Sequence, residues 1–137
     1  EVCNRTQVWL TQVKLLGSYT FPYGIQVAAT LQNQPGPEIA ALYTFTDTPS
    51  VLYPGGATLN MLTPGTMYGE RFSQLDLRFT KLLDLGQGTR LRAMFDMFNV
   101  ANANAVMAEQ QSFGPSWRDP VVIMPGRLLK FALQLDF

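Results

Sequence analysis

Hydrophobic and polar residues alternate along five stretches of this chain with a period of two, the period of a strand and not of a helix. In 126–137, Leu129, Phe131, Leu133, Leu135 and Phe137 fall on one side, and Leu128, Lys130, Ala132, Gln134 and Asp136 on the other. The stretch 88–98 repeats this, with Leu91, Ala93, Phe95 and Met97 opposite Arg90, Arg92 and Asp96. In 72–82, Leu75, Leu77 and Phe79 oppose Gln74, Asp76, Arg78 and Thr80; in 24–32, Ile25, Val27, Ala29 and Leu31 oppose Gln26 and Thr30. The least regular stretch is 9–20, where Val13, Leu15 and Tyr19 oppose Gln12, Lys14, Ser18 and Thr20. The pattern predicts strands near 9–20, 24–32, 72–82, 88–98 and 126–137. A further arm of a hairpin is expected at 39–46 and a short helical turn within 99–110.

Alternation leaves open which side is the inside. A soluble sandwich turns its apolar side inward, whereas a membrane barrel turns it to lipid and lines its lumen with the polar side. The predicted strands run to 9–12 residues, close to the ~9–11 that cross a bilayer at a tilt and longer than the ~5–6 usual in soluble sheets. The connections point the same way. Phe21-Pro22-Tyr23-Gly24 and Asp84-Leu85-Gly86-Gln87-Gly88 are tight, while 33–70 and 99–125 are long and rich in Pro and Gly. Short, long, short, long is the order of an up-and-down barrel with short periplasmic turns and long outer loops. Counted back from Phe137, both tight turns fall on the periplasmic side. Tyr19, Phe21, Tyr23 and Phe137 then lie near one interface, where aromatic girdles form. The expected fold class is all-β: an antiparallel up-and-down meander of about five strands plus long loops, the C-terminal segment of a transmembrane β-barrel.

Composition sharpens this. Of 137 residues 47% are hydrophobic and only 15% charged, against about 25% charged in soluble domains, so much of the surface is not built for water. Ten basic and ten acidic residues cancel, and without a basic face nucleic acid is not an expected partner. No apolar run approaches the ~20 residues of a membrane helix. The single cysteine, Cys3, cannot form an internal disulfide or by itself a zinc site. Asn4-Arg5-Thr6 matches a glycosylation acceptor too short to carry weight. The chain begins at Glu1 with no signal peptide, and a processed or excised piece is expected.

Chemistry is sparse. With no His, Ser/His/Asp and Cys/His arrangements are ruled out. Gly114-Pro115-Ser116-Trp117 does not carry the Gly on both sides of the Ser that a nucleophile elbow needs, and Gly86-Gln87-Gly88 lacks the remaining glycine and the following helix of a phosphate cradle. Asp76 and Asp96 could pair as glycosidase carboxylates. Arg78, Arg90 and Arg92 share their side, however, so a lumen-facing ladder of Asp76, Arg78, Arg90, Arg92 and Asp96 is the expected arrangement. No catalysis, cofactor or metal is expected. The long loops hold Tyr43, Tyr53, Tyr68, Phe113 and Trp117. Tyr53, Tyr68 and Trp117 are candidates for stacking on a glycan or siderophore; the alternative is that they pack the loops together.

Several motifs resemble those of TonB-dependent outer-membrane receptors. Gln74 to Lys81, followed by its short turn, is similar to their penultimate hairpin, and Asp96-Met97-Phe98-Asn99-Val100-Ala101-Asn102 matches their D-x-F-N-x-x-N signature. The ending from Arg127 to Phe137 resembles their last strand. Gly17 to Val27 is similar to members with a carboxypeptidase-regulatory-like (Oar-like) N-terminal domain. The resemblance covers nearly the whole chain and is most specific in 74–102 and 127–137. It implies a bacterial outer-membrane location and uptake of a siderophore, glycan or similar nutrient. It also implies contact with outer-membrane lipid, with the remaining barrel strands and a plug, and with the barrel-assembly machinery. That machinery would read Leu129, Phe131, Leu133, Leu135 and Phe137. Five strands cannot close a barrel, which needs about eight or more, so the chain alone is expected to be a non-transporting fragment. The alternatives are a soluble β-sandwich or small-barrel module of carbohydrate-binding type and an edge-associating β-rich oligomer or fibre.

Overall fold

The computed structural model describes residues 8–45 and 56–137. Nine strands occur among them: β1 (Val13–Phe21), β2 (Ile25–Gln34), β3 (Leu42–Phe45), β4 (Ala57–Asn60), β5 (Phe72–Gly86), β6 (Thr89–Phe98), β7 (Val106–Glu109), β8 (Pro120–Ile123) and β9 (Leu128–Asp136). The fold is all-β and every strand pairing is antiparallel. No helix of the described residues is long and apolar enough to cross a membrane, which says nothing of strands. The chain divides into two compact units, one of Gln12–Gln34, Phe72–Ala105 and Met124–Phe137, the other of Glu1–Thr11, Pro35–Arg71 and Val106–Ile123.

The first unit is a five-stranded open sheet in the order β1-β2-β5-β6-β9. Each strand lies beside the next long strand in the chain, a meander, and the long connections leave from the end opposite the tight turns. The first tight turn, Pro22–Gly24, holds Tyr23 in the left-handed region at φ 68°. The second places Gln87 (φ 54°) and Gly88 (φ 84°) at its two central positions. Two successive positive φ values make a type I′ hairpin turn, whose twist matches that of the strands, and glycine meets the demand at the second position without steric cost. The strand boundaries differ from expectation at two places. β1 begins at Val13 rather than near residue 9. β5 runs on to Gly86, because Leu83 and Leu85 continue the alternation past residue 82.

Register fixes the two sides. A row perpendicular to the strands joins Tyr19, Val27, Phe79, Phe95 and Phe131, and the next joins Phe21, Ile25, Lys81, Ala93 and Leu133. On the reverse, Ser18, Ala28, Arg78, Asp96 and Lys130 form a row. The row from Phe21, the last residue of β1, reaches Leu133, three residues before the end of β9.

The second unit holds two hairpins, β3–β4 and β7–β8. The expected arm at 39–46 is β3 with the residues before it. They meet through Leu42, whose N–H donates to Gln111 O (2.8 Å) and whose carbonyl accepts from Phe113 N–H (2.8 Å). The β3–β4 ladder is extended by Ile39 N–H to Met67 O (3.0 Å) and Gly69 N–H to Pro37 O (2.8 Å). Here two backbones nearly touch. A Cβ on Gly36 would collide with the backbone of Gly69 and Glu70, so only glycine fits. Ile39 and Ala41 are buried in this unit.

Candidate functional site

The sheet has one apolar and one polar side, both largely open, and its two best-covered strand residues lie on the polar side. On the apolar side Phe131 is 77% exposed, Leu133 75% and Phe79 40%. On the polar side Thr80 is 6% exposed and Asp96 3%. The proposed last-strand residues Leu129, Phe131, Leu133, Leu135 and Phe137 are all exposed. Nothing described seals them together. Phe95 stacks on Phe131 at 4.7 Å between centroids and on Phe79 at 6.4 Å, so an aromatic band crosses three strands on the open side. At the turn end Tyr19 meets Phe21 edge-on at 4.7 Å, and Tyr23 and Phe137 are almost fully exposed.

The polar residues do not form one continuous ladder. They fall into two groups separated by the row of Thr80, Met94 and Ala132. In the first, Arg78 grips Asp96 with both arms of its guanidinium, Nε to Oδ1 and Nη2 to Oδ2 at 3.0 Å. Such a bidentate pair is both directional and charge-assisted. Asp76, on the same strand as Arg78, accepts from Gln74 Nε2 (2.9 Å) and from the Asn99 backbone N–H (2.8 Å). In the second group Arg92 approaches Asp136 at 3.9 Å, and Arg90 lies in register between Asp84 and Asp136. Asp76 and Asp96 each have fixed partners, Asp96 a guanidinium and Asp76 a backbone amide.

The Asp-Met-Phe-Asn-Val-Ala-Asn segment acquires a structural meaning that periodicity did not reveal. Instead of the expected helical turn, 99–102 forms a tight turn closed by Asn102 N–H to Asn99 O (2.8 Å). Both asparagines sit in the left-handed region, at φ 50° and 53°, which Asn tolerates better than most residues. The buried Asn99 side chain donates to Ala103 O and Pro125 O (both 2.8 Å) and accepts from Ala103 N–H (2.9 Å). Asn102 Oδ1 accepts from Arg127 N–H at 3.0 Å. The pair thus ties the end of β6 to the residues that lead into β9. Nearby Val100 N–H donates to Leu75 O (2.8 Å).

Among the loop aromatics, Tyr53 lies outside the described residues, as do Cys3 and Asn4-Arg5-Thr6. Tyr68 is half-buried and bridges to Glu38. Trp117 donates its indole N–H to Ala40 O (3.0 Å) and packs on Phe113 at 5.9 Å, so one edge of this ring is engaged in holding the loops together. Phe113 continues to Tyr43 at 6.5 Å and Tyr43 to Phe45 at 4.7 Å. Tyr43, Phe45 and Phe113 keep open ring surface; Phe45 had not stood out in the sequence. Between β7 and β8, the Arg118–Glu109 hydrogen bond (3.0 Å) holds the guanidinium above its already high ordinary value, so it stays charged.

No family model, curated protein or solved structure matches the chain.

Proposed function

We propose that this chain is a segment of an outer-membrane β-barrel whose apolar side faces lipid and whose Arg/Asp side faces a lumen, within a receptor for nutrient uptake. The observation that carries this reading is the exposed apolar side of the sheet, with Asp96 and Thr80 covered on the other side. Water would leave Phe79, Phe131 and Leu133 a large exposed apolar surface, of a kind monomeric soluble proteins rarely tolerate. Lipid makes that surface favourable, and the polar side becomes the enclosed one. The tight-turn and long-connection ends are those of a periplasmic and an outer face. β1 and β9 each keep an unpaired edge among the described residues; in hydrocarbon such an edge costs several kcal/mol per group, so further strands must flank both. The segment therefore contributes wall and loops rather than transport by itself. Within the same reading, Tyr43, Phe45 and Phe113 offer a stacking surface to a ligand at the cell surface.

Flotation tests it. The chain is expected to float with phospholipid vesicles and to require detergent otherwise. A monodisperse monomer in plain buffer, with slow amide exchange along β9, would reject the membrane reading in favour of a soluble binding module.

A further inference from the structure

Lys81 is the one charged side chain on the apolar side of the five strands, set between Ile25 and Ala93 in register and between Phe79 and Leu83 along β5. Among the described residues no carboxylate lies within ion-pair distance of it. Its ammonium reaches toward the tight turn and donates to the Tyr23 carbonyl at 2.7 Å, which leaves two of its three donors for another acceptor. Beside it the small Ala93 leaves a groove of about 750 Å³ whose walls include Phe79, Phe95, Phe131 and Leu133. A cation at one end of an apolar trough is the outline of a lipid: an anionic head beside the amine, hydrocarbon along the trough.

We propose that Lys81 and the groove over Ala93 hold one anionic glycerophospholipid on the outer surface of the sheet, at the tight-turn end. This deepens the membrane reading and rests on it. The phosphodiester accepts from the Lys81 ammonium at the level of Tyr23, where a long basic side chain extends its charge toward the headgroups. An acyl chain lies over Ala93 against Phe95 and Leu133. An unneutralised cation favours a lipid of net negative charge over a zwitterionic one, whose own cation offsets its phosphate.

The test is native mass spectrometry of the full chain in a neutral detergent, titrated with phosphatidylglycerol, phosphatidylcholine or inorganic phosphate. One phosphatidylglycerol is expected to be retained with about a fivefold preference over phosphatidylcholine, as for one Lys at an anionic surface. Lys81→Gln removes that preference, Lys81→Arg keeps it, and Lys130→Gln, on the other side, leaves it in place. Ala93→Phe fills the trough and weakens both lipids alike. A preference that survives Lys81→Gln, or that Lys130→Gln abolishes equally, overturns the site. Equal competition by inorganic phosphate shows an anion site without a lipid and also overturns it. Vesicle flotation separates the two levels: a chain that floats but shows no Lys81-dependent preference loses only this proposal, while one that neither floats nor retains lipid loses both.

Discussion

The sheet and the loop-borne unit are both antiparallel β-structure, yet their best-covered strand and hairpin residues differ in kind. The sheet carries most of the large apolar side chains and leaves many of them open, while a carboxylate and a threonine are its best-covered strand residues. The second unit carries fewer apolar residues and buries Ile39 and Ala41, with short hairpins joined backbone to backbone. Both units leave large apolar side chains open, Leu59, Met61, Phe113 and Val121 in the loop-borne one and Phe131 and Leu133 in the sheet. The sheet gathers most of its own on one side. On the proposed membrane reading, what distinguishes them is which medium each apolar surface meets, not secondary structure.

The largest effect should come from placing a charge on the apolar side of β9, measured against one on its polar side. Phe131→Arg puts a guanidinium on the open apolar side, where facing the bilayer midplane costs about 2–4 kcal/mol. Partition into vesicles should fall by roughly thirtyfold to a thousandfold. Gln134→Arg, on the polar side of the same strand, should change it by less than about threefold. Equal losses would mean that both sides meet the same medium, and the contrast between the units would lose its explanation.

A second break targets the turn after β6. Asn99→Ala removes three side-chain hydrogen bonds and places alanine at φ 50°. With three part-buried hydrogen bonds lost at about 1 kcal/mol each, a loss of about 3 kcal/mol is expected in denaturant titration in detergent. Asn99→Gly restores the backbone freedom but not the bonds, so it should recover only part of that loss. Full recovery would assign the asparagine to backbone geometry alone.

The five long strands were legible because side chains in a two-sided sheet must alternate, and each register pairs like with like across it. Their ends were less legible. Residues 9–12 continue the rough pattern of 13–20 without pairing, and the second turn is tighter than Asp84 to Gly88 suggests, since the positive φ of Gln87 and Gly88 needs only two residues. The short strands β4, β7 and β8 span four residues each, too few for a period to show. Val121-Val122-Ile123 was a usable signal, being β-branched throughout, and Pro120 sits at the first position where a strand admits proline. Charge on the polar side was foreseen, but its division into two groups was not, because that depends on which residues face each other. The roles of Asn99 and Asn102 were hidden because their partners, Pro125 and Arg127, lie more than twenty residues away in sequence.

Gly36→Ala asks whether the units stand independently. The added methyl must displace the backbone at Gly69 and Glu70, an overpacking worth about 1–3 kcal/mol. Amide exchange should quicken at Ile39 and Gly69, whose N–H groups hold that ladder, and stay unchanged at Leu77 and Phe95. Matching acceleration in the sheet would show one cooperative body where two are drawn.

The smallest effect separates packing from binding in the loop aromatics. Trp117→Phe deletes the indole N–H bond to Ala40 O but keeps a ring against Phe113. The net loss expected is about 1 kcal/mol, read as earlier thermal loosening of residues 40–42 and 111–117 by amide exchange. Tyr43→Ala instead removes open ring surface without that bond, so it should weaken any pyranose or aryl ligand that stacks there while stability changes less. If Trp117→Phe abolishes such binding and leaves exchange untouched, the indole is the ligand platform. The bond to Ala40 would then be incidental, and the loop unit would differ from the sheet in the ligand it meets as well as in the solvent.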